Sequence, residues 1–285
     1  MQFRDIWKRF KRRKTSFIAL FFLLAVFVIA AIGPYLTKYE PTKMYLKEKY
    51  APMSLSHPLG TDQLGRDTMT RLIYGARVSL SIAFIGVLTG CFVGLTLGLL
   101  AGYFGGWVDA LISRIVEILL AFPGMLLAIA IIAILGNGVR NTTIAVGIFC
   151  IPSMARIVRG IVISLKHSEY IEACKVMGAS DFRIIFDHIL PNSISLIIVT
   201  ITLDLGTSIL TASALSFLGL GVMPPNPEWG AMLNVGKEVM RGYPLGVLAP
   251  GLAITLVVMS FSLVGDGLRD SLDPRLGHKR NTSHE

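Results

Sequence analysis

The chain of 285 residues is 53% hydrophobic and 16% charged, with a mean hydropathy of +0.64. That is more apolar surface than a soluble core of this length needs, so the composition excludes a soluble globular protein. A net charge of +9 would suit a nucleic-acid partner, but the basic residues flank apolar runs instead of clustering with aromatics on one soluble face, so no nucleic acid is expected.

Six apolar segments approach the roughly 20 residues needed to span a bilayer core. They run 17–36, 78–102, 115–135, 142–160, 193–222 and 246–268. The first follows the basic stretch MQFRDIWKRFKRRK; its apolar run exceeds the roughly 7 to 15 residues of a signal-peptide core, so an uncleaved anchor is expected. Lys and Arg counts set the orientation. With the amino terminus inside, 17 of the 27 basic residues lie in inside segments and 9 outside, with Arg77 on a boundary. Both termini and the 167–192 stretch are therefore expected in the cytoplasm, although Lys38, Lys43, Lys47 and Lys49 make the first outside loop unusually basic.

In the second span Gly86, Gly90, Gly94, Gly98 and Gly102 recur every four residues, a stripe along which a neighbouring backbone can approach closely. In the third, Arg114 and Glu117 have the spacing of an intrahelical ion pair. In the fifth, Thr200, Asp204, Thr207, Ser208 and Thr211 form a polar face opposite Ile201, Leu205 and Ile209. A carboxylate near the bilayer centre costs about 2.5 to 3.5 kcal/mol on insertion scales. Asp204 should therefore face the bundle interior, a water-filled path or a partner; pathway and structural roles both stand. For the hydroxyls, bonds to carbonyls of their own helix are the favoured reading.

Between the fourth and fifth spans lies HSEYIEACKVMGASDFRIIFDHILPN, residues 167–192. Glu169 to Met177 reads as a short helix, Gly178 as its carboxyl-terminal cap, and Ser180 with Asp181 as the start of a second helix. Pro191 suits the first turn of the next span. So small a unit should bury Tyr170, Ile171, Val176, Met177 and Phe182 only in part, which leaves a surface that wants a partner.

Enzymatic readings lack their residues. His57, His167, His188, His278 and His284 never stand four apart as HExxH requires, and there is no GxSxG. The phosphate-loop decoy GAMLNVGKE, 230–238, has Ala231 and Glu238 where Gly and Ser or Thr are needed. Cys91, Cys150 and Cys174 are widely spaced and read as buried thiols. An ion-gradient-driven transporter is the strongest rival, but no inverted repeat is evident between the halves.

Glu172, Ala173, Cys174, Gly178, Leu190 and Pro191 resemble the EAA loop of binding-protein-dependent ABC importer permeases, with Cys174 at the second alanine and His188 at the isoleucine as departures. HPLGTDQLGRD at 57–67, RIVEILLAFP at 114–123, LSFLGLGVMPPNPEWGAML at 215–233 and GDGLRDSLDPRLG at 265–277 are similar to the C-type permease of the dipeptide and oligopeptide branch. Many members carry an acidic residue shortly before LSFLGLG where this chain has Thr211, Ala212 and Ser213.

The resemblance implies an all-α membrane protein with six transmembrane helices, the type I ABC importer permease fold, and a cytoplasmic coupling helix-turn-helix. It implies division into residues 1–76 (basic terminus, anchor and extracytoplasmic segment), a permease core 77–270 with its coupling loop at 161–191, and a tail 271–285. It implies a non-catalytic half of a peptide-import pathway, with nickel chelates or oligosaccharides as alternative cargo. No cofactor or metal is expected in the chain; ATP and magnesium would sit on two partner ABC ATPase subunits, alongside a sister B-type permease and an extracytoplasmic substrate-binding protein. The ATPases would be met by Glu172, Ala173, Cys174, Gly178, Ala179, Asp181 and Pro191. Asp204, Thr207, Ser208 and Thr211 are the pathway candidates. Pro224, Pro225, Pro227 and Trp229 are candidates for an outer gate or binding-protein contact, with an interfacial tryptophan anchor as the alternative.

Overall fold

The computed structural model describes residues 3–272; the tail assigned to 271–285 lies almost wholly outside them. Ten helices carry the fold among these residues. An amphipathic helix α1 (Phe3–Arg12) leads into the first long apolar helix α2 (Lys14–Leu36). A segment with one 3-10 turn at Leu46–Glu48 connects to α3 (Thr68–Phe104). Then follow α4 (Gly106–Ala121), α5 (Gly124–Leu135), α6 (Val139–Lys166) and the short α7 (Glu169–Val176). The bundle closes with α8 (Asp181–Phe217), α9 (Trp229–Glu238) and α10 (Leu245–Leu272).

Five of these helices, α2, α3, α6, α8 and α10, are long and apolar enough to cross a membrane, and α4 with α5 would make a sixth span as a broken pair bent by 92°. The third apolar segment, 115–135, is therefore not one straight helix. Phe122 precedes Pro123, whose ring disfavours the α conformation in the residue before it, and Phe122 lies at φ −88°, ψ 135°. The 12 residues of α5 reach only about 18 Å, short of a bilayer core of about 30 Å.

The fifth span also differs from expectation. Its α-helical part does start at Leu190 with Pro191 in the first turn, as expected, but the helix as a whole begins earlier, at Asp181, and it ends at Phe217 instead of 222. A π-helical turn at Ile184–Ile189, in which the Leu190 N–H reaches back to the Ile185 carbonyl, lets one helix run through Pro191, because the wider turn relieves the clash that proline makes with the preceding turn. The division placed at 76/77 falls inside α3, which starts at Thr68 behind its Asp67 cap; the Asp67 carboxylate accepts from the Thr70 N–H at 2.7 Å.

The central seam is α3 against α6. All five stripe glycines are buried. A Cβ on Gly94 would lie 2.6 Å from the Ile151 carbonyl oxygen, and one on Gly98 would lie 2.6 Å from that of Ala155. The stripe thus lets two backbones touch, which in a bilayer replaces the missing hydrophobic drive with dispersion contact. The buried free thiols Cys91 and Cys150 line the same seam.

At the end where α2 finishes and α3 begins, the HPLGTDQLGRD stretch folds into a buried polar cluster. His57 Nδ1 lies 2.9 Å from Asp67, and Asp62 accepts from Arg66 Nε at 2.7 Å. The Arg71 guanidinium donates to the Pro41 carbonyl at 2.7 Å and to that of Pro225 at 3.3 Å. The Tyr243 hydroxyl meets Thr68 Oγ1 at 2.8 Å and donates to the Leu59 carbonyl. Burial pushes the Tyr243 phenol up from its ordinary pKa, which keeps it a neutral donor. This cluster fastens the 38–67 segment over the bundle end.

Candidate coupling surface and intramembrane polar site

The turn after α7 closes as a Schellman motif. The Gly178 N–H donates to the Lys175 carbonyl and the Ala179 N–H to the Cys174 carbonyl, both at 3.0 Å, with Gly178 at φ +81°. Residue 178 must take the left-handed region, where a Cβ costs about 1–2 kcal/mol. Ser180 then caps α8, its hydroxyl accepting from the Arg183 N–H at 3.4 Å.

This helix-turn-helix has two faces. Ile171, Ile184 and Ile189 are fully buried and anchor it to the bundle. Ile171, expected to be only partly covered, is therefore part of the core. Val176, Met177 and Phe182, by contrast, are 89%, 78% and 71% exposed. Glu172 and Ala173 are exposed beside them, as are Gly178, Asp181 and Pro191, while Cys174 and Ala179 are half-buried. Cys174 Sγ lies 3.7 Å from His188 Nε2, so the two departures from the EAA pattern meet each other across the turn.

Two hydrogen bonds and two ring contacts, all on Tyr103, join the element with the ends of α3 and α6. The Tyr103 hydroxyl, at the last turn of α3, donates to Asp181 at 2.6 Å. The Lys166 ammonium, at the last turn of α6, donates to the Tyr103 carbonyl. The Lys166 and Lys175 ammonium groups also lie 5.7 and 5.8 Å from the centre of the Tyr103 ring.

The polar face of the fifth span does not act as one surface. Asp204 is half-buried and points at Cys91 of α3, 3.8 Å from its Sγ. Ser208 is fully buried with its Oγ 3.4 Å from Cys150 Sγ. Thr207 is exposed and Thr211 half-buried, and both donate to carbonyls of their own helix, Asp204 at 3.1 Å and Thr207 at 2.8 Å. Thr200 likewise donates to the Leu196 carbonyl at 2.9 Å. Only Asp204 and Ser208 thus turn toward the α3–α6 seam.

At the opposite end, Trp229 is buried, not interfacial; its indole N–H donates to the Leu72 carbonyl at 3.0 Å. Pro224 and Pro225 are exposed and joined by a cis peptide, while Pro227 is buried. The carboxylate of Glu228, which the sequence reading passed over, is fully buried, accepting from Ser79 Oγ at 2.9 Å and from the Ala231 N–H at 2.8 Å to cap α9. The GAMLNVGKE decoy therefore lies within a helix and forms no loop. Arg114 and Glu117 pair at 3.4 Å on the exposed face of α4. A stronger pair was not foreseen: Arg159 grips Asp109 through two bonds of 2.5 and 2.7 Å, fastening α4 to α6.

Comparison with known proteins agrees with this architecture. Residues 94–278 match the family model described as binding-protein-dependent transport system inner membrane component, and residues 2–52 match the N-terminal TM domain of oligopeptide transport permease C. The glutathione transport system permease protein GsiD of Pectobacterium atrosepticum is 48% identical over 275 residues, 96% of this chain and 91% of that protein. The dipeptide transport system permease protein DppC of Alkalihalophilus pseudofirmus is 47% identical, over 96% of this chain and 90% of its own length. Among solved structures, an inward-facing MetNI methionine ABC transporter superposes with a TM-score of 0.60 at 20% identity, over 72% of this chain and 98% of that one, a likeness of fold. The chain is a multi-pass membrane permease component and belongs to the family of binding-protein-dependent transport system inner membrane components.

Proposed function

We propose that the chain forms half of the translocation path of an ATP-driven importer for small peptides, beside a sister permease, and that it hydrolyses nothing itself. ATP and magnesium bind on two partner ATPase subunits, and a substrate-binding protein delivers cargo from the opposite side. The observation that carries this reading is the Schellman-closed turn at Gly178, which presents Val176, Met177 and Phe182 uncovered while Tyr103 at the last turn of α3 holds Asp181 of the same element and is itself bonded by Lys166 of α6. A partner pressing on that apolar face moves the spans with it. Peptide cargo is supported by the relatives, which are named for glutathione and dipeptide transport.

Charge counting supports a cytoplasmic coupling face with both termini on that side. Asp204, Thr207, Ser208 and Thr211 are the residues proposed for the cargo path, and the Pro224–Trp229 segment for the outer closure.

The test is Gly178→Asp in the reconstituted assembly. No atom lies within 4 Å of a Cβ at this position, so the substitution strains only the turn, by about 1–2 kcal/mol, and places a negative charge at the end of α7, where the helix dipole disfavours it. Membrane insertion and pairing with the sister permease should persist. Uptake should fall to background, and wild-type uptake should be blocked by vanadate but not by an uncoupler. Wild-type uptake by the variant at equal membrane abundance would refute the coupling role.

A further inference from the structure

The first loop's lysines are not absorbed by this function, and beside Lys38 the structure holds an apolar groove. The groove has a volume of about 670 Å³, within the range of small-molecule sites, and lies between α2 and α3 with Trp229 and Ala253 at its floor. Gly33 brings α2 against Ile73 of α3, where a Cβ would come within 2.6 Å of Ile73 Cγ2. Around that point the groove opens, and Leu55 and Pro58 of the 38–67 segment close its end, giving three walls where an ordinary lipid-facing helix offers a convex surface.

Its length fits one kind of occupant. The α2 wall runs from Val26 to Leu36, about 15 Å of helix, which is half of a hydrocarbon core of about 30 Å and hence the depth of one leaflet. Ile29, Ile32 and Leu36 on that wall are exposed and apolar. Polar groups gather only where the groove meets the first loop. There the Asp67 carboxylate is already engaged by the Thr70 N–H and His57. Lys38 is exposed and has no ion-pair partner among the described residues.

We propose that this groove binds a single anionic phospholipid, one acyl chain lying along α2 and α3 and the headgroup phosphate meeting Lys38. The lipid would fill the gap between the N-terminal span and the rest of the bundle. It would also give the basic first loop a role that the usual charge asymmetry leaves unexplained.

The test is native mass spectrometry of the transporter extracted from membranes containing phosphatidylglycerol and phosphatidylethanolamine. The wild type should retain a phosphatidylglycerol through detergent exchange. Lys38→Glu should lower its occupancy at least about tenfold, reversing a charge next to the phosphate. Ile29→Trp, which fills the groove from a lipid-facing position, should do the same, whereas Lys49→Glu, on the same loop but outside the groove, should not. Melting temperatures equal to wild type establish that each variant is folded. Equal retention by Lys38→Glu and Lys49→Glu, no preference for phosphatidylglycerol, or a photocrosslinker at Ile32 that captures a sister subunit instead of lipid would each overturn the proposal.

Discussion

Replacing Gly94 by alanine tests whether the glycine stripe sets the spacing of the bundle. The new Cβ would lie 2.6 Å from the Ile151 oxygen and 2.8 Å from Met154 Cβ, well inside the 3.4 Å at which ordinary contact begins. The near neighbours are backbone and a β-carbon, so no flexible side-chain end can yield. Relief therefore requires α3 and α6 to part by most of an ångström, and Gly90 and Gly98, held as closely on either side, would part with them. A gap of about 0.5–1 Å forfeits roughly a quarter to a half of each dispersion well along the seam. Overpacking of this kind costs about 1–3 kcal/mol, and for a chain of this size each kcal/mol lowers the melting temperature by about 2–4 °C. The expected loss is roughly 2–12 °C. Cys91 and Cys150 are buried in the same seam, so a thiol-reactive fluorogenic dye reports its opening directly. The control is Gly160→Ala, on the exposed face of α6 with no atom within 4 Å of its Cβ, which should melt at or slightly above wild type through better helix propensity. Equal melting of Gly94→Ala and Gly160→Ala would show that the close approach of α3 and α6 does not set the stability of the bundle.

Two further outcomes are expected. Trp229→Phe removes the indole donor from the Leu72 carbonyl in a buried setting and should cost about 1–3 kcal/mol, seen in the same melt, while Trp229→Ala should cost about 3–5 kcal/mol by adding a cavity. A double-mutant cycle on Asp109→Ala and Arg159→Ala should give a coupling no larger than about 1 kcal/mol, because both side chains are partly solvated, yet either variant should make α4 more sensitive to limited proteolysis, since Val116 is its only buried residue.

What could be read from the sequence was local and periodic. The four-residue glycine repeat located the tightest seam because helical geometry alone puts those positions on one face. The cap at Gly178 and the start at Ser180 followed from turn chemistry within a dozen residues. The prolines show the limit of local rules. Phe122–Pro123 broke a run that looked continuous, while Pro34, Pro152 and Pro250 stay inside their helices, so a proline alone does not announce a break. Pro191 took its expected place in the first turn of an α-helix, but a π turn that composition does not announce joins that helix to the segment before it. Long-range pairing was the rest of the missing information. Arg71 reaches across 154 residues to the Pro225 carbonyl, Ser79 across 149 to Glu228, and Thr68 across 175 to Tyr243. No periodicity links such partners; a buried polar group takes whichever partner the bundle brings near, because leaving it unsatisfied is costly, and among the described residues the Ser16 and Ser213 hydroxyls are the buried side-chain groups without one.

The path from the turn at Gly178 to the far end of the bundle follows from these pairings. Helix α8 begins at Asp181, where Tyr103 holds it, and runs 37 residues, about 56 Å, to Phe217. Its far end is pinned in turn: Ser216 Oγ accepts from the Val222 N–H at 3.0 Å, and the Gly221 carbonyl accepts from the Gly138 N–H at the start of α6 at 3.0 Å. Helix α3 runs antiparallel to it, from the His57–Asp67 cluster to Tyr103. A helix held at both ends carries a displacement along its length, so in the proposed cycle a push on Val176 and Phe182 appears at the other end as movement of the 218–228 segment. The α4–α5 pair is built differently. It is broken at Phe122–Pro123 with a bend of 92°, and the Arg159–Asp109 pair fastens its first half to α6.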